Sequence, residues 1–300
     1  MGLVLRARFA PPGMVAQGRW RRCILMYAEN PVSSCGFFAG QPRKTLIGTG
    51  AAGRARTGDR EQGDLMQMRW TLGAACALSL SIAGLAQAQS HTGVVVELFT
   101  SQGCSSCPPA DAFLAALASD PRLIPLALHV DYWDYIGWED QFADPRFTQR
   151  QKSYARAVGS RTIYTPQMIV GGVDRVEGNA PEKVAALILK HMQKAERVGL
   201  WLEREGDVLR IRAEADPPLD QAVRVQLVRY RPEETVAIKH GENEGRTVTY
   251  RNIVTSWEVV GDWGGQAPLA IDARAAGPEP LAVILQNEGP GAILAAASLR

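Results

Sequence analysis

The chain has 300 residues, enough for about two domains, and its 33 Lys and Arg nearly balance 31 Asp and Glu. That balance conceals a split, because residues 1–88 hold 11 of the basic and 4 of the acidic residues, leaving 22 basic and 27 acidic beyond them. The remainder is acidic, net −5, and carries no basic stripe, which excludes nucleic acid as an expected partner. No G-x-G-x-x-G, P-loop, G-x-S-x-G or H-E-x-x-H pattern supports nucleotide, esterase or zincin chemistry.

Residues 1–65 are rich in Arg, Gly and Pro without apolar periodicity and read as a non-native or disordered extension. Residues 66–88 combine Arg69, an apolar run from Leu72 to Leu85 and the small-residue site Ala86-Gln87-Ala88. Together these form a secretory signal peptide, with Met66 or Met68 as the initiator and cleavage before Gln89. The alternative is a genuine extension with a membrane anchor, for which the apolar run is short. Cleavage predicts an exported, periplasmic or secreted protein with no membrane span in its mature part. It also removes Cys23, Cys35 and Cys76, leaving two cysteines in a compartment that permits disulfides.

Those two cysteines sit between the first two expected elements. Val94 to Thr100 is a β-branched apolar run suited to a buried strand, and Ala110 to Leu117 continues a helix to Asp120-Pro121. Between them, Cys104-Ser105-Ser106-Cys107 opens the helix, and Pro108 suits a first turn where a missing N–H does no harm. A helix N-terminus carries partial positive charge, which favours a thiolate, the nucleophile of disulfide exchange. Cys104 at the open end is the expected nucleophile and Cys107, a turn inside, the resolving thiol. Two alternatives stand beside this. As a structural staple, so short a loop stabilises by only about 2 kcal/mol, against about 4.7 for a hundred residues. A zinc site would need two more spaced ligands, and downstream the chain offers isolated His129, His191 and His240.

Leu123 to Val130 is a second apolar strand, followed by an aromatic, acidic loop from Asp131 to Pro145. A polar helix is expected from Arg146 to Val158. Ile163-Tyr164-Thr165-Pro166 then leads into a strand at Gln167 to Val170, which turns at Gly171-Gly172 into Val173 to Val176. Pro181 to Glu196 reads as a helix with Val184, Leu187, Ile188 and Met192 on one face. After Arg197-Val198-Gly199 the pattern changes to short strands with turn residues between them. These are Leu200 to Glu203, Val208 to Ala213, Val223 to Tyr230, Thr235 to His240, Arg246 to Tyr250, Ile253 to Val260, Leu269 to Ala273 and Leu281 to Gln286. Residues 198–300 are therefore expected to form a β-sandwich-like domain serving as scaffold or partner-binding surface. His240 to Gly245 reads as a solvated turn, or alternatively a metal or substrate contact.

The order of elements over residues 92–196, with the C-x-x-C at the first helix and Thr165-Pro166 before a hairpin, resembles the thioredoxin fold. The resemblance implies an α/β thioredoxin-like domain with a mixed sheet, in which Pro166 is cis beside the dithiol and Thr165 offers backbone hydrogen bonds to a substrate peptide. It also implies a buried acid that exchanges a proton with the inner cysteine. Glu97 stands near the required place, one residue further from the motif than usual, and otherwise reads as a paired or partly exposed strand carboxylate. More narrowly, the stretches from Glu97 to Asp111, His129 to Trp138 and Tyr164 to Gly172 resemble a secreted bacterial family catalogued as domain of unknown function twelve-twenty-three. That likeness covers nearly all of residues 92–300 and implies a fold and an export route.

Three functions compete. The first is an exported thiol-disulfide oxidoreductase acting on protein thiols or disulfides with an unidentified redox partner and no cofactor. In it Tyr132, Trp133, Tyr135 and Trp138 form an apolar wall for the substrate, or alternatively a lid packed over the sheet. The second is copper handling, with Cys104, Cys107 and His129 as a soft ligand set for Cu(I), His129 being otherwise a structural histidine. The third is a partner-binding module whose cysteine pair is redox-inert.

Overall fold

A computed structural model describes residues 91–300 apart from residue 195; the expected extension at 1–65 and the signal peptide at 66–88 lie outside the described residues. The chain runs β1 (His91–Thr92), β2 (Val94–Thr100), α1 (Pro108–Leu117), β3 (Leu123–His129), a short 3-10 turn at Asp134–Ile136 and α2 (Pro145–Ala157). It continues through β4 (Gln167–Val170), β5 (Asp174–Glu177) and α3 (Pro181–Met192). Helix α3 stops four residues before the expected Glu196, because its apolar stripe ends at Met192 and the polar residues beyond have no face to bury.

Strand β2 explains its own composition. It runs parallel to β3, with Glu97 opposite Leu126, and antiparallel to β4, with Leu98 opposite Met168. A strand flanked on both sides and covered on both faces is mostly apolar on both rather than alternating, Glu97 and Thr100 being the buried polar exceptions here. Val96 and Leu98 meet Ala110 and Leu114 of α1 and Val184 and Ile188 of α3 on one face, while Val95 and Phe99 meet Phe147 and Tyr154 of α2 on the other.

The second half is β6 (Val198–Glu205), β7 (Val208–Ala215), β8 (Val223–Ala237), β9 (Thr247–Trp263), β10 (Leu269–Arg274), β11 (Leu281–Asn287) and β12 (Ile293–Leu299). Four strands expected between Val223 and Val260 are in fact two long ones, β8 and β9. Pro232, which has no N–H to give the ladder, lies where the pairing steps from Arg231 opposite Ile253 to Glu233 opposite Arg251, so it interrupts the ladder without ending the strand. Asn252 stands at the same level with φ 50°, a left-handed conformation that Asn tolerates, and its side chain donates to the Pro125 carbonyl of β3 at 2.8 Å.

The fold is mixed α/β, with a nine-stranded mixed sheet ordered β1-β12-β11-β8-β9-β3-β2-β4-β5 and a second, antiparallel sheet ordered β10-β7-β6. The small sheet stacks on the large one through Leu209, Ile211, Val225, Val283 and Leu285, all buried, which gives the β-rich half two layers. Strand pairing crosses the boundary expected near residue 197, because β3 joins β9 and the core around Leu126 and Ile169 is completed by Val228, Tyr230 and Ile284. Among the described residues no helix is long and apolar enough to cross a membrane.

Candidate functional site at the cysteine pair

Strand β2 delivers the chain to a tight loop at Ser101-Gln102-Gly103, and α1 begins directly after the second cysteine. The Cys104 N–H donates to the Ser101 carbonyl, the Cys107 N–H to the Cys104 carbonyl and the Asp111 N–H to the Cys107 carbonyl. The two cysteines form a disulfide, with Cα atoms 5.4 Å apart. Ser105 and Ser106 are exposed, but Cys104, expected at the open end, is 1% exposed and as buried as Cys107.

Three segments cover it. Gly103 is fitted against the aromatic loop, since a Cβ there would stand 2.9 Å from Ile136 Cδ1 and 3.2 Å from Trp133 Cβ. Trp138 Nε1 donates to Gln102 Oε1 and Gln102 N–H donates to Asp140 Oδ2, both at 2.8 Å. The β8–β9 hairpin tip reaches across from the second half. Asn243 is 1% exposed and its amide donates to both the Gln102 and Cys104 carbonyls at 2.9 Å, while Glu242 Oε2 accepts the Ser105 N–H at 3.3 Å. The segment expected as a solvated turn is thus part of the site. Two of its polar side chains, Glu242 and Asn243, serve the motif loop's backbone, while His240 and Glu244 are exposed as expected of a turn.

Pro166 lies near α1, the helix that Cys107 opens. The Thr165-Pro166 bond is cis, Pro166 is buried, and Gly178 fits between it and α1, where a Cβ would meet Pro166 Cβ at 2.8 Å and Ala110 Cβ at 3.1 Å. Thr165 Oγ1 accepts Trp133 Nε1 at 2.7 Å. Of the expected aromatic wall, Trp133 and Trp138 pack half-buried around the motif, Tyr132 turns to Gln151 of α2, and Tyr135 is 82% exposed.

Behind the motif lies a cluster of buried ionisable groups. Asp111 on α1 accepts from Thr100 Oγ1 at 2.8 Å, and its second oxygen has no partner. Burial raises its pKa to about 7, against the attraction of His129. His129 is fully buried, with Nδ1 2.7 Å from Asp140 Oδ2 and Nε2 unpartnered. Burial pulls His129 down, but Asp140 and Asp111 outweigh it and leave the histidine raised. Burial likewise lifts Asp140, and His129 with the Gln102 and Phe142 N–H groups brings it below the usual carboxylate range. Among the described residues no three His, Cys, Asp or Glu side chains are grouped to hold a metal ion.

Glu97 stands elsewhere. It shares a face of β2 with Val95 and Phe99, opposite the face that α1 covers, so its carboxylate is not placed toward the inner cysteine. Arg150 grips it through Nε at 2.6 Å and Nη2 at 2.9 Å, Tyr154 donates to it at 2.5 Å, and the guanidinium lies 3.8 Å from the Trp257 ring centre. This knot lies at a cleft of about 420 Å³ between α2 and the β-rich half.

A family model described as protein of unknown function (DUF1223) matches residues 95–286. The chain belongs to this family. The DUF1223 match includes the cysteine pair, Asp111, His129, Asp140, Pro166 and the hairpin tip. A crystal structure of an Agrobacterium tumefaciens protein is similar at 34% identity and TM-score 0.59, over 69% of this chain and 93% of that one. HBP35 of Porphyromonas gingivalis is similar in fold alone, at 13% identity and TM-score 0.51, over 69% of this chain and 74% of that one. No curated protein matches the chain.

Asp111 and Asn243 were missed in the sequence. Asp111 had a signal, because it is the one acid on the stripe of Ala110, Leu114 and Leu117 that the helix buries. Asn243 had none, since its partners lie 141 and 139 residues away.

Proposed function

We propose that this DUF1223 protein is an exported thiol-disulfide oxidoreductase, built on a thioredoxin-like unit at residues 92–196. The observation that carries this reading is a cysteine pair at a helix start with a protonatable carboxyl one turn further on the same helix. Cys107 caps α1 and Asp111 follows four residues later, so both lie on one helix face. With a pKa raised by burial to about 7, Asp111 holds or releases a proton near neutral pH. The element order, with the cysteine pair opening α1 and the buried Pro166 near that helix, supports the thioredoxin-like part of the reading.

In the exchange, a partner thiolate attacks Sγ of Cys104 and the Cys104–Cys107 bond breaks. Its electron pair passes to Sγ of Cys107, which takes a proton from Asp111. The partner's second thiolate then attacks its own sulfur in the mixed disulfide and leaves as a disulfide, releasing Cys104 as thiolate. The reverse sequence reduces a partner.

A reduction potential between about −120 and −270 mV, measured against glutathione on protein starting at Gln89, is the expected result, with Cys104→Ser abolishing exchange and leaving the far-ultraviolet spectrum unchanged. Full activity in that variant would sink the proposal. The second reading, a redox-inert partner-binding module, draws on the burial of both cysteines, and a potential below about −300 mV would favour it. The copper reading rests on Cys104, Cys107 and His129 alone, and stoichiometric Cu(I) binding lost in His129→Ala would be its evidence.

A further inference from the structure

The hairpin tip between β8 and β9 holds itself together and holds the motif loop. Ile238 N–H donates to the Arg246 carbonyl, Gly245 N–H to Ile238, Glu244 N–H to Gly241 and Arg246 N–H to Asn243. A segment closed by four backbone hydrogen bonds moves as one piece. Beyond Ile238, buried at its base with Trp138 and Phe142, its docking rests on the Asn243 amide on the Gln102 and Cys104 carbonyls, Glu242 on the Ser105 N–H, Gly241 against Ile136 and Trp138, and His240 beside the Trp138 ring. The side-chain oxygen of Asn243, Oδ1, is buried without a partner, so the docked position carries a desolvation cost that opening relieves.

We propose that this tip is a redox-coupled cover, in which Asn243 positions the Cys104 loop against attack and Glu242 opposes negative charge on the Cys104 sulfur. The inference rests on the oxidoreductase reading. Cys104 is 1% exposed, so a protein thiolate reaches it only after the cover moves. Reduction by a dithiol forms the dithiol's disulfide, a Cys107 thiol and a Cys104 thiolate, and releases one proton to solvent. The new thiolate lies one residue from the loop N–H that Glu242 occupies, and two anions held close to one donor repel. The other charged groups around the motif, Asp140 on the Gln102 N–H and Asp111 with His129 behind α1, belong to the buried cluster and stay in place. Glu242 is exposed and free to withdraw, taking the tip with it. Reduction then opens the site and oxidation closes it.

The test uses Glu242→Gln and Asn243→Ala in protein starting at Gln89, with dithiothreitol as the reductant. Glu242→Gln is a surface change that leaves folding intact. It is expected to lower the Cys104 pKa, read from thiolate absorbance, and to shift the exchange equilibrium about threefold to tenfold toward reduced protein. Asn243→Ala is expected to speed reduction several-fold, and hydrogen exchange across residues 239–246 is expected to be faster in reduced than in oxidised wild type. Wild-type values in either variant, with wild type still exchanging, overturn this inference and leave the oxidoreductase reading standing. A wild-type protein that dithiothreitol cannot reduce overturns both.

Discussion

Asp111 is a carboxyl group at the price of stability near neutral pH. Burial raises its pKa from 3.8 to about 7, so between those values the folded protein keeps a proton that the unfolded chain has released. Its contribution is therefore most favourable below about pH 4 and is lost as pH rises through about 7. His129 adds to the same slope: Asp140 and Asp111 outweigh burial and hold it raised, so its support is present below its unfolded value and lost at higher pH. Asp140, depressed, acts in the opposite sense and loses its support only in acid. Wild-type stability is thus expected to decline between pH 5 and pH 8. Asp111→Asn, neutral and nearly isosteric, should flatten that decline and exceed wild type at pH 8 by on the order of a few kcal/mol. On the proposed mechanism it should also slow disulfide exchange, because Cys107 would lose its proton partner. Urea denaturation at both pH values checks the first claim and exchange kinetics the second. An unchanged pH dependence would remove Asp111 as a titrating group.

At the scale of elements, the site depends on how closely β4 approaches α1. Gly178, directly after β5, lies between Pro166 and Ala110, and the atoms an added Cβ would meet are themselves Cβ atoms, which cannot swing away. Gly178→Ala is expected to destabilise by about 1–3 kcal/mol and, on the proposed function, to slow exchange by pushing α1, which carries Cys107 at its start, away from Pro166. Gly264→Ala, where an added Cβ meets nothing within 4 Å, should cost less than about 0.5 kcal/mol and leave exchange unchanged. Equal effects in the two variants would break the link between Gly178 and the site. The elements most legible in the sequence are those whose cause is local. Helix α1 was announced by its two prolines and apolar stripe, β2 by its β-branched run, and the β4–β5 turn by its two glycines. Glu97 takes its alternative reading, a paired strand carboxylate; the choice was hidden because its side-chain direction depends on which face each helix takes, and its partner Arg150 lies 53 residues away. The continuity of β8 was hidden by Pro232, a local break signal that pairing with β9 overrides.

The molecule as a whole joins what the sequence divides. The face of β2 and β3 opposite α1 is covered only in part by α2; the remainder of that core, including Val228, Tyr230, Val254, Ala282, Ile284 and Ala296, comes from beyond residue 197. The Glu97–Arg150 knot likewise needs Gln226, Gln286 and Trp257 from the second half. A fragment of residues 91–196 would contain every expected catalytic residue, Cys104, Cys107, Thr165, Pro166 and Glu97. It would nevertheless leave the Leu126 and Leu128 face and the β3 edge open to water. At about 1.5–3 kcal/mol for each buried large apolar side chain, losing this cover approaches the 5–15 kcal/mol that holds a typical domain together. The fragment is therefore expected to bind a hydrophobic dye, lack a cooperative thermal transition and exchange disulfides only as an unstructured dithiol would. Residues 91–300 should melt in one transition, with calorimetric and van't Hoff enthalpies in agreement. A fragment that melts cooperatively and retains the full protein's potential would show that the first half folds and works alone, with the β-rich half added to a finished site. The opposite result would make the second half a structural part of the cysteine-pair site, as its strand pairing and Asn243 suggest by their contacts with the first half.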